Sequence, residues 1–592
     1  MIDVDYKKIK KRIKLRSMEI WGIEEEHLID PIVGLLLDVF AFELAKVHQQ
    51  IKISDAKLLE RLAKILVSEN WSLPSPSHAL LKLIPSTDEY NITRKTHFYY
   101  PKMELGEYND LFFTPIKSHD LVKASIRCIA YADKLIMKEP NGEIEVELNA
   151  IKDKRIDDYN VWLGIEIDKK LLKQIKNLPI CVLLTDSILD VYLKMVEVTD
   201  SFGNPIKMNQ INNVNEHNEH YFDMIERYYE NYLYDLDLSG AEKELKLLST
   251  QFSETFNQIE LEEFDESLFW IKLTFPVAFS LDELKKVSIS LNTFPIINRK
   301  LVYRQHSISK NGKVVSLSTN SNELDYFLNV ENLLDDSGIE YQTTLQKDIN
   351  NLPGSYSLYF GDIDQFDERN AKVMLNKVIQ TIREEGSAFS AVGYDLLNAY
   401  LEDLNSKLDV LEKKVNSAYK NISSSAEKQY LHTVPLPSSR TFECEFWKTN
   451  ANKANGILKN QRLNPYRSVD IKSNTIALQT DTVGGIIRVA TKEKINSLRY
   501  GLISRERIVS KEDVKSFVKT MVGQTIKKVS VNLGVQISEK PNQGLIRTTN
   551  VTAELTDGAK MSEENKKRLA HSIQIELQHK SVQNIPYHVV IS

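Results

Sequence analysis

A chain of 592 residues with 42% hydrophobic and 27% charged content has the apolar mass to bury sizeable cores, and its length suggests roughly four domain-sized units. That composition excludes an intrinsically disordered chain, and a formal net charge of −6, from 76 basic against 82 acidic residues, gives no global positive field for nucleic acid or an anionic membrane. Cys128, Cys181 and Cys444 lie far apart, offering neither a disulfide framework nor zinc-ligand spacing, and favour a reducing compartment.

Residues 1–77 read as an N-terminal helical segment. Met1 is followed by Asp3, Asp5 and a basic run rather than the apolar stretch of a secretory signal, so a cytoplasmic location is expected. Lys7, Lys8, Lys10, Lys11, Arg12, Lys14 and Arg16 accompany a weak apolar stripe of Ile9, Ile13, Leu15 and Ile20. The plain reading is a solvated helix face; the functional one is a docking arm for an acidic partner.

Asp30 then stands as an N-cap before Pro31, whose missing N–H costs nothing in a first turn. The helix that follows is apolar nearly all round, from Ile32 and Leu36 through Phe40 and Phe42 to Leu44 and Val47, and such a helix is expected to be buried in its own domain or under a partner. Asp38 and Glu43 break it well short of the roughly 20 apolar residues of a membrane span, so no direct membrane insertion is expected. Ser54 and Asp55 cap a second helix, and Leu73 to Ser77, "LPSPS", stops it.

Residues 78–245 shorten to strand-length runs such as "KASIRCIAYA" and "PICVLLTD" between Gly, Pro, Asn and Asp, which predicts a β-rich domain. Near its end His217, Glu219 and His220 lack the spacing of a zinc site, and Tyr228, Tyr229, Tyr232 and Tyr234 read as core or interface packing. Residues 246–360 read as a second β domain carrying two Phe-Pro pairs, Phe275-Pro276 and Phe294-Pro295. Proline extends the residue before it and removes a ladder donor, so each pair is expected to mark a strand end or a sheet edge.

Residues 361–430 turn helical. Leu397, Leu401, Leu404, Leu408, Leu411 and Val415 alternate spacings of four and three, the a/d seam of a coiled coil, packing either within the chain or on a partner helix. Residues 431–592 read as a C-terminal α+β domain in which Ser510 caps a helix and a β-hairpin, a helix and a closing strand follow. His571 and His579 on that last helix read as surface histidines. The expected fold class is therefore α+β and multidomain.

The sequence contains no G-x-G-x-x-G, P-loop, G-x-S-x-G or H-E-x-x-H string, and no pair of catalytic carboxylates can be singled out from 82 acidic residues. Catalysis is unsupported, and no cofactor or metal is expected.

Several stretches taken in order resemble the TssF family (VasA or ImpG), baseplate subunits of the bacterial type VI secretion system. These are the Asp30-Pro31 helix "DPIVGLLLDVFAFELAKVHQQI" with its Phe40, the "LPSPS" turn, and "LTFP" with Phe275 and Pro276. They continue in "LNTFPIINRK" with Asn292, Phe294, Pro295 and Asn298, then "GLISRERIVSKEDVKSFV" and "KKVSVNLGVQ". Stretches 90–245 and 340–480 depart from the better-known members, as in a divergent branch. The resemblance implies an architecture similar to contractile phage tail baseplate wedge proteins and a structural role without catalytic residues. Two copies would join one TssG in a wedge that also recruits TssE and TssK, assembles around the VgrG spike hub and templates the TssB/TssC sheath. The Asp30 helix and the heptad from Leu397 to Val415 would supply subunit contacts. The alternatives are a wedge subunit of a phage-like or extracellular contractile injection particle, and a cell-wall hydrolase acting at a secretion apparatus.

Overall fold

The computed structural model describes residues 2–22, 30–34, 36–44, 73–104, 107–139, 142–152, 154–184, 187–211, 219, 221–307, 314–317, 326–344, 352–360, 406–407, 429–467, 470–487, 507–522, 526–537, 544–556, 563–582 and 585–592. The chain forms two compact units, residues 1–72 with 490–506 and residues 73–489 with 507–592.

In the first unit the basic run forms the helix Ile2–Trp21. Asp30 caps the next helical stretch as its sequence predicts: its Oδ1 accepts from the Ile32 N–H at 2.7 Å, and its carbonyl accepts from Gly34 at 2.8 Å. Of the two expected kinds of cover, burial within its own domain is not what the structure shows. Ala41 is buried, but Ile32 is 73% exposed and Phe40 62%, with Leu36, Val39, Phe42 and Leu44 also exposed. A helix apolar on every side needs cover on every side, and the basic helix meets it through a 2.7 Å ion pair from Lys10 Nζ to Asp38 Oδ2.

The second unit is built on β-sheets. A six-stranded sheet runs in the order Asn464–Tyr466, His97–Glu104, Glu107–Pro115, Thr293–Asn298, His78–Lys82, Ala477–Leu478. An eleven-stranded sheet starts at Ser288–Leu291 beside Asn177–Leu183 and passes through Ser267–Thr274, Asn160–Ile167 and Ala124–Tyr131 to Ile144–Asn149. The strands alternate or run apolar because one or both faces are covered, and the larger sheet supplies much of a core running from Leu80 to Trp447. "LPSPS" is buried throughout, with Ser75 bridged to Ile486 rather than turning in solvent.

The ladders cross residue 245, the expected boundary between two β domains. His78–Lys82 pairs with Thr293–Asn298, Asn177–Leu183 with Ser288–Leu291, and Asn160–Ile167 with Ser267–Thr274. Strand runs announce themselves locally, whereas their partners are chosen by long-range packing. Gly164 shows how tight one such crossing is: a Cβ there would lie 2.8 Å from both Leu268 Cδ1 and the ring of Trp270, its cross-strand partner.

The two Phe-Pro pairs behave differently. Phe275-Pro276 follows the strand Ser267–Thr274, as a strand end should. Phe294-Pro295 does not mark an edge; it lies inside Thr293–Asn298, a central strand with neighbours on both sides. The missing N–H is tolerated because Pro295 sits where the ladder to Glu107–Pro115 ends: the paired residues run from Ile296 to Asn298, and the Pro295 carbonyl still accepts from Ile116 at 3.2 Å.

The C-terminal strands Ile526–Ile537, Leu545–Leu555 and Tyr587–Ile591 form a three-stranded sheet with helices Lys511–Val522 and Glu563–Lys580 packed on it. Ser510 and Asp513 exchange bonds in a capping box, Ser510 N–H to Asp513 Oδ2 at 2.8 Å and Asp513 N–H to Ser510 Oγ at 3.2 Å. The heptad residues Leu397, Leu401, Leu404, Leu408, Leu411 and Val415 lie outside the described residues, as do His217 and His220.

Candidate functional site: a buried junction at the end of the Asn-x-Phe-Pro strand

Thr293–Asn298 is buried at every position, and the residues that bracket it carry its chemistry. Asn292 joins the last strand of the large sheet to this strand with φ of 50°, a left-handed conformation that Asn tolerates better than most residues. Its amide acts as a two-sided plug: Nδ2 donates to the carbonyls of Val122 at 2.7 Å and Ala124 at 3.3 Å, and Oδ1 accepts from the Val122 N–H at 3.1 Å. Few side chains offer donor and acceptor at that reach from that backbone.

Asn298 does the same at the other end. Its Nδ2 donates to the Phe112 carbonyl at 2.9 Å, and its Oδ1 accepts from Thr449 Oγ1 at 2.9 Å and from the Asn450 N–H at 2.8 Å. Phe294 lies between them, 1% exposed, its ring stacked on His119 at a centroid distance of 5.1 Å. Asn292, Phe294, Pro295 and Asn298 thus share one strand and its entrance. Phe275 is also buried, edge-on to Phe279 at 5.1 Å.

Arg299 follows immediately and is fully buried. Its guanidinium donates through Nε to Thr114 Oγ1 at 2.6 Å, through Nη2 to the Pro115 carbonyl at 2.9 Å, and through Nη1 to Glu219 Oε1 at 3.0 Å and Tyr221 Oη at 3.1 Å. The same guanidinium lies over the Trp447 ring, 4.0 Å from its centroid. Arg94 Nη2 bridges Glu219 at 2.5 Å and Glu331 at 2.8 Å, and Trp447 Nε1 donates to that Glu331 oxygen at 2.6 Å. Burial presses the Tyr221 hydroxyl pKa up, keeping it a neutral donor and acceptor.

Two guanidiniums and two carboxylates therefore close on themselves around one indole. Arginine suits this because its planar fork engages several acceptors at once. The cluster is a structural fastening: it is closed over by protein, and Glu219 Oε1 and Glu331 Oε2 face arginines. Among the described residues no group of His, Cys, Asp and Glu is arranged to hold a metal ion.

Sequence reading singled out the Asn-x-Phe-Pro-x-x-Asn string but missed Arg94, Glu331 and Trp447. The available signal was Arg299 itself, a charge placed directly after six apolar-dominated strand residues. Tyr229, Tyr232 and Tyr234 are core residues as expected. His571 departs from the surface reading: it is partly buried, with Nε2 3.8 Å from Asp190 Oδ2.

Residues 11–133 match the family model described as Type VI secretion system, TssF. No curated protein matches the chain. Among solved structures, a chain of the type VI secretion system TssK-TssF-TssG baseplate subcomplex is similar at TM-score 0.43 and 11% identity, over 94% of this chain and 96% of that one. A chain of the baseplate complex from the type VI secretion system is similar at TM-score 0.37 and 10% identity, over 99% of this chain and 96% of that one. A chain of the anti-feeding prophage baseplate is similar at TM-score 0.21 and 7% identity, over 98% of this chain and 70% of that one. The match over residues 11–133 spans the capped Asp30-Pro31 helix and the first strands of the six-stranded sheet, and over that part the chain is similar to the TssF family.

Proposed function

We propose that this protein is a structural, non-enzymatic subunit of a type VI secretion baseplate. The observation that carries the reading is the TssF family match over residues 11–133. In this reading two copies join one TssG to form a wedge, TssK and TssE bind that wedge, and wedges close around the VgrG hub to template the TssB/TssC sheath. The assembly would work at the cytoplasmic face of the inner membrane. No helix among the described residues is long and apolar enough to cross a membrane itself.

The apolar helix opened by Asp30 and Pro31 is the first contact surface to examine, because its exposed Ile32, Leu36 and Phe40 are what a partner would cover. The heptad residues Leu397, Leu401, Leu404, Leu408, Leu411 and Val415 are proposed as a second contact. Asn292, Phe294, Pro295 and Asn298 would act indirectly, by fixing the sheets that carry the surfaces.

Co-expression with the neighbouring genes, affinity purification and native mass spectrometry test this. A complex of two copies with one TssG supports the wedge. A well-behaved monomer that captures neither TssG nor TssK removes it.

A further inference from the structure

The C-terminal module, helices Lys511–Val522 and Glu563–Lys580 with their three-stranded sheet, has its own apolar interior, including Phe517, Val551 and Ile573. Among the described residues, the apolar clusters that include Leu80, Leu81, Trp270 and Phe446 hold no residue beyond Leu478. The module meets the rest of that unit where Glu563–Lys580 packs against the helix Phe222–Tyr229 and the 3-10 segment Ser187–Met195. That seam is polar. Arg227 Nε donates to Glu576 Oε1 at 2.5 Å, with the Glu576 side chain 4% exposed, and His571 faces the buried Asp190 carboxylate, which accepts from Tyr232 Oη at 2.7 Å.

We infer that the C-terminal module is a separately folded unit latched onto the β-rich body by the Arg227–Glu576 pair, and that it can be released as a rigid piece without unfolding. Large apolar interfaces within a chain fasten domains together, whereas seams crossed by charged pairs resemble those between domains that move. The latch is strong only while paired, because removing Arg227 leaves a carboxylate buried against the body. Undocking relieves that burial, and the module's own interior gives it no reason to unfold. The inference goes beyond the baseplate reading and does not depend on it.

Spin labels at Lys207→Cys and Lys519→Cys, both exposed positions on body and module, report the separation in the full chain by pulsed dipolar spectroscopy, since the three native cysteines are buried. Arg227→Ala should raise the long-distance population at least about tenfold. Hydrogen exchange of Ile526–Ile537 and Leu545–Leu555 should stay as slow as in the parent. The charge-swapped pair Arg227→Glu with Glu576→Arg should restore the parent distance. An unchanged distance distribution in Arg227→Ala overturns the latch, and faster exchange throughout the module's sheet overturns release as a rigid piece.

Discussion

The guanidinium of Arg299 lies 4.0 Å above the ring of Trp447, and the two residues also share the acid system that ties Arg94 to Glu219 and Glu331. One residue closes the strand that leaves the six-stranded sheet; the other lies near the end of the strand Thr441–Thr449, which pairs with Lys300–Ser307 directly after Arg299. The contact therefore sits where two sheets hand the chain from one to the other. A charge at such a place is tolerated only because every face of it is occupied.

Removing Arg299 should be severe. Arg299→Ala strips Glu219 of one of its two arginines and uncovers an indole face, so a loss of about 3–5 kcal/mol is expected from urea unfolding. Arg299→Lys should recover little of it, because a single ammonium cannot serve Thr114, Pro115, Glu219 and Tyr221 together. A lysine variant as stable as the parent would show that charge alone is what the junction requires.

Asn292 separates two contributions that usually come mixed. Asn292→Gly keeps the left-handed backbone but abandons Val122 and Ala124, and should cost about 1–3 kcal/mol. Asn292→Ala loses the same bonds and adds roughly 1–2 kcal/mol for a Cβ at positive φ. Equal stabilities for the two variants would mean that the turn relaxes out of the left-handed region.

What the sequence discloses and what it hides divide along these lines. The Asp30 and Ser510 caps were legible because a cap is settled within four residues, and both are made by the atoms the pattern names. The strand before Phe275 was legible for a similar reason. The place of Phe294-Pro295 was not, since an edge differs from a centre only in which distant strands arrive on either side. The Arg299 junction gathers Arg94, Glu219, Glu331 and Trp447 from separate strands and loops, and no local spacing announces that convergence. The sequence left open whether the Asp30 helix is covered by its own domain or by a partner, because apolarity tells that a surface wants cover, not which molecule supplies it.

Phe294 and Phe40 make a matched comparison. Phe294 is 1% exposed inside a packed strand, so Phe294→Ala should destabilise by about 3–5 kcal/mol. Phe40 is 62% exposed, and Phe40→Ser should change stability of the isolated chain by less than about 0.5 kcal/mol. If the Asp30 helix is a subunit contact, the serine variant should nonetheless lose partner in pull-downs. A single truncation leaves neighbouring apolar side chains to hold a partner, so Phe40→Ser is combined with Leu36→Ser, at 51% exposure. Full partner recovery by the double variant would remove this helix as a contact.

His78 gives stability a pH dependence whose sign is fixed by its surroundings. Its Nδ1 lies 2.9 Å from Tyr229 Oη, the rings of Tyr228 and Tyr229 stand edge-on to it, and a Cβ on Gly484 would overlap its imidazole. Burial alone holds its pKa down at about 3, against 6.5 for an ordinary histidine. Between those values the unfolded chain takes up a proton that the folded protein refuses. The contribution is intact above about pH 6.5 and is lost as pH falls toward 3, with a limiting slope of about 1.4 kcal/mol per pH unit for this one group. Urea unfolding at about pH 7, 6, 5 and 4 measures the total slope, and in His78→Asn that slope should fall by one proton's worth over the acid range. An identical slope in the variant would mean that His78 becomes protonated in place, with Tyr229 turning its hydroxyl oxygen to accept from it.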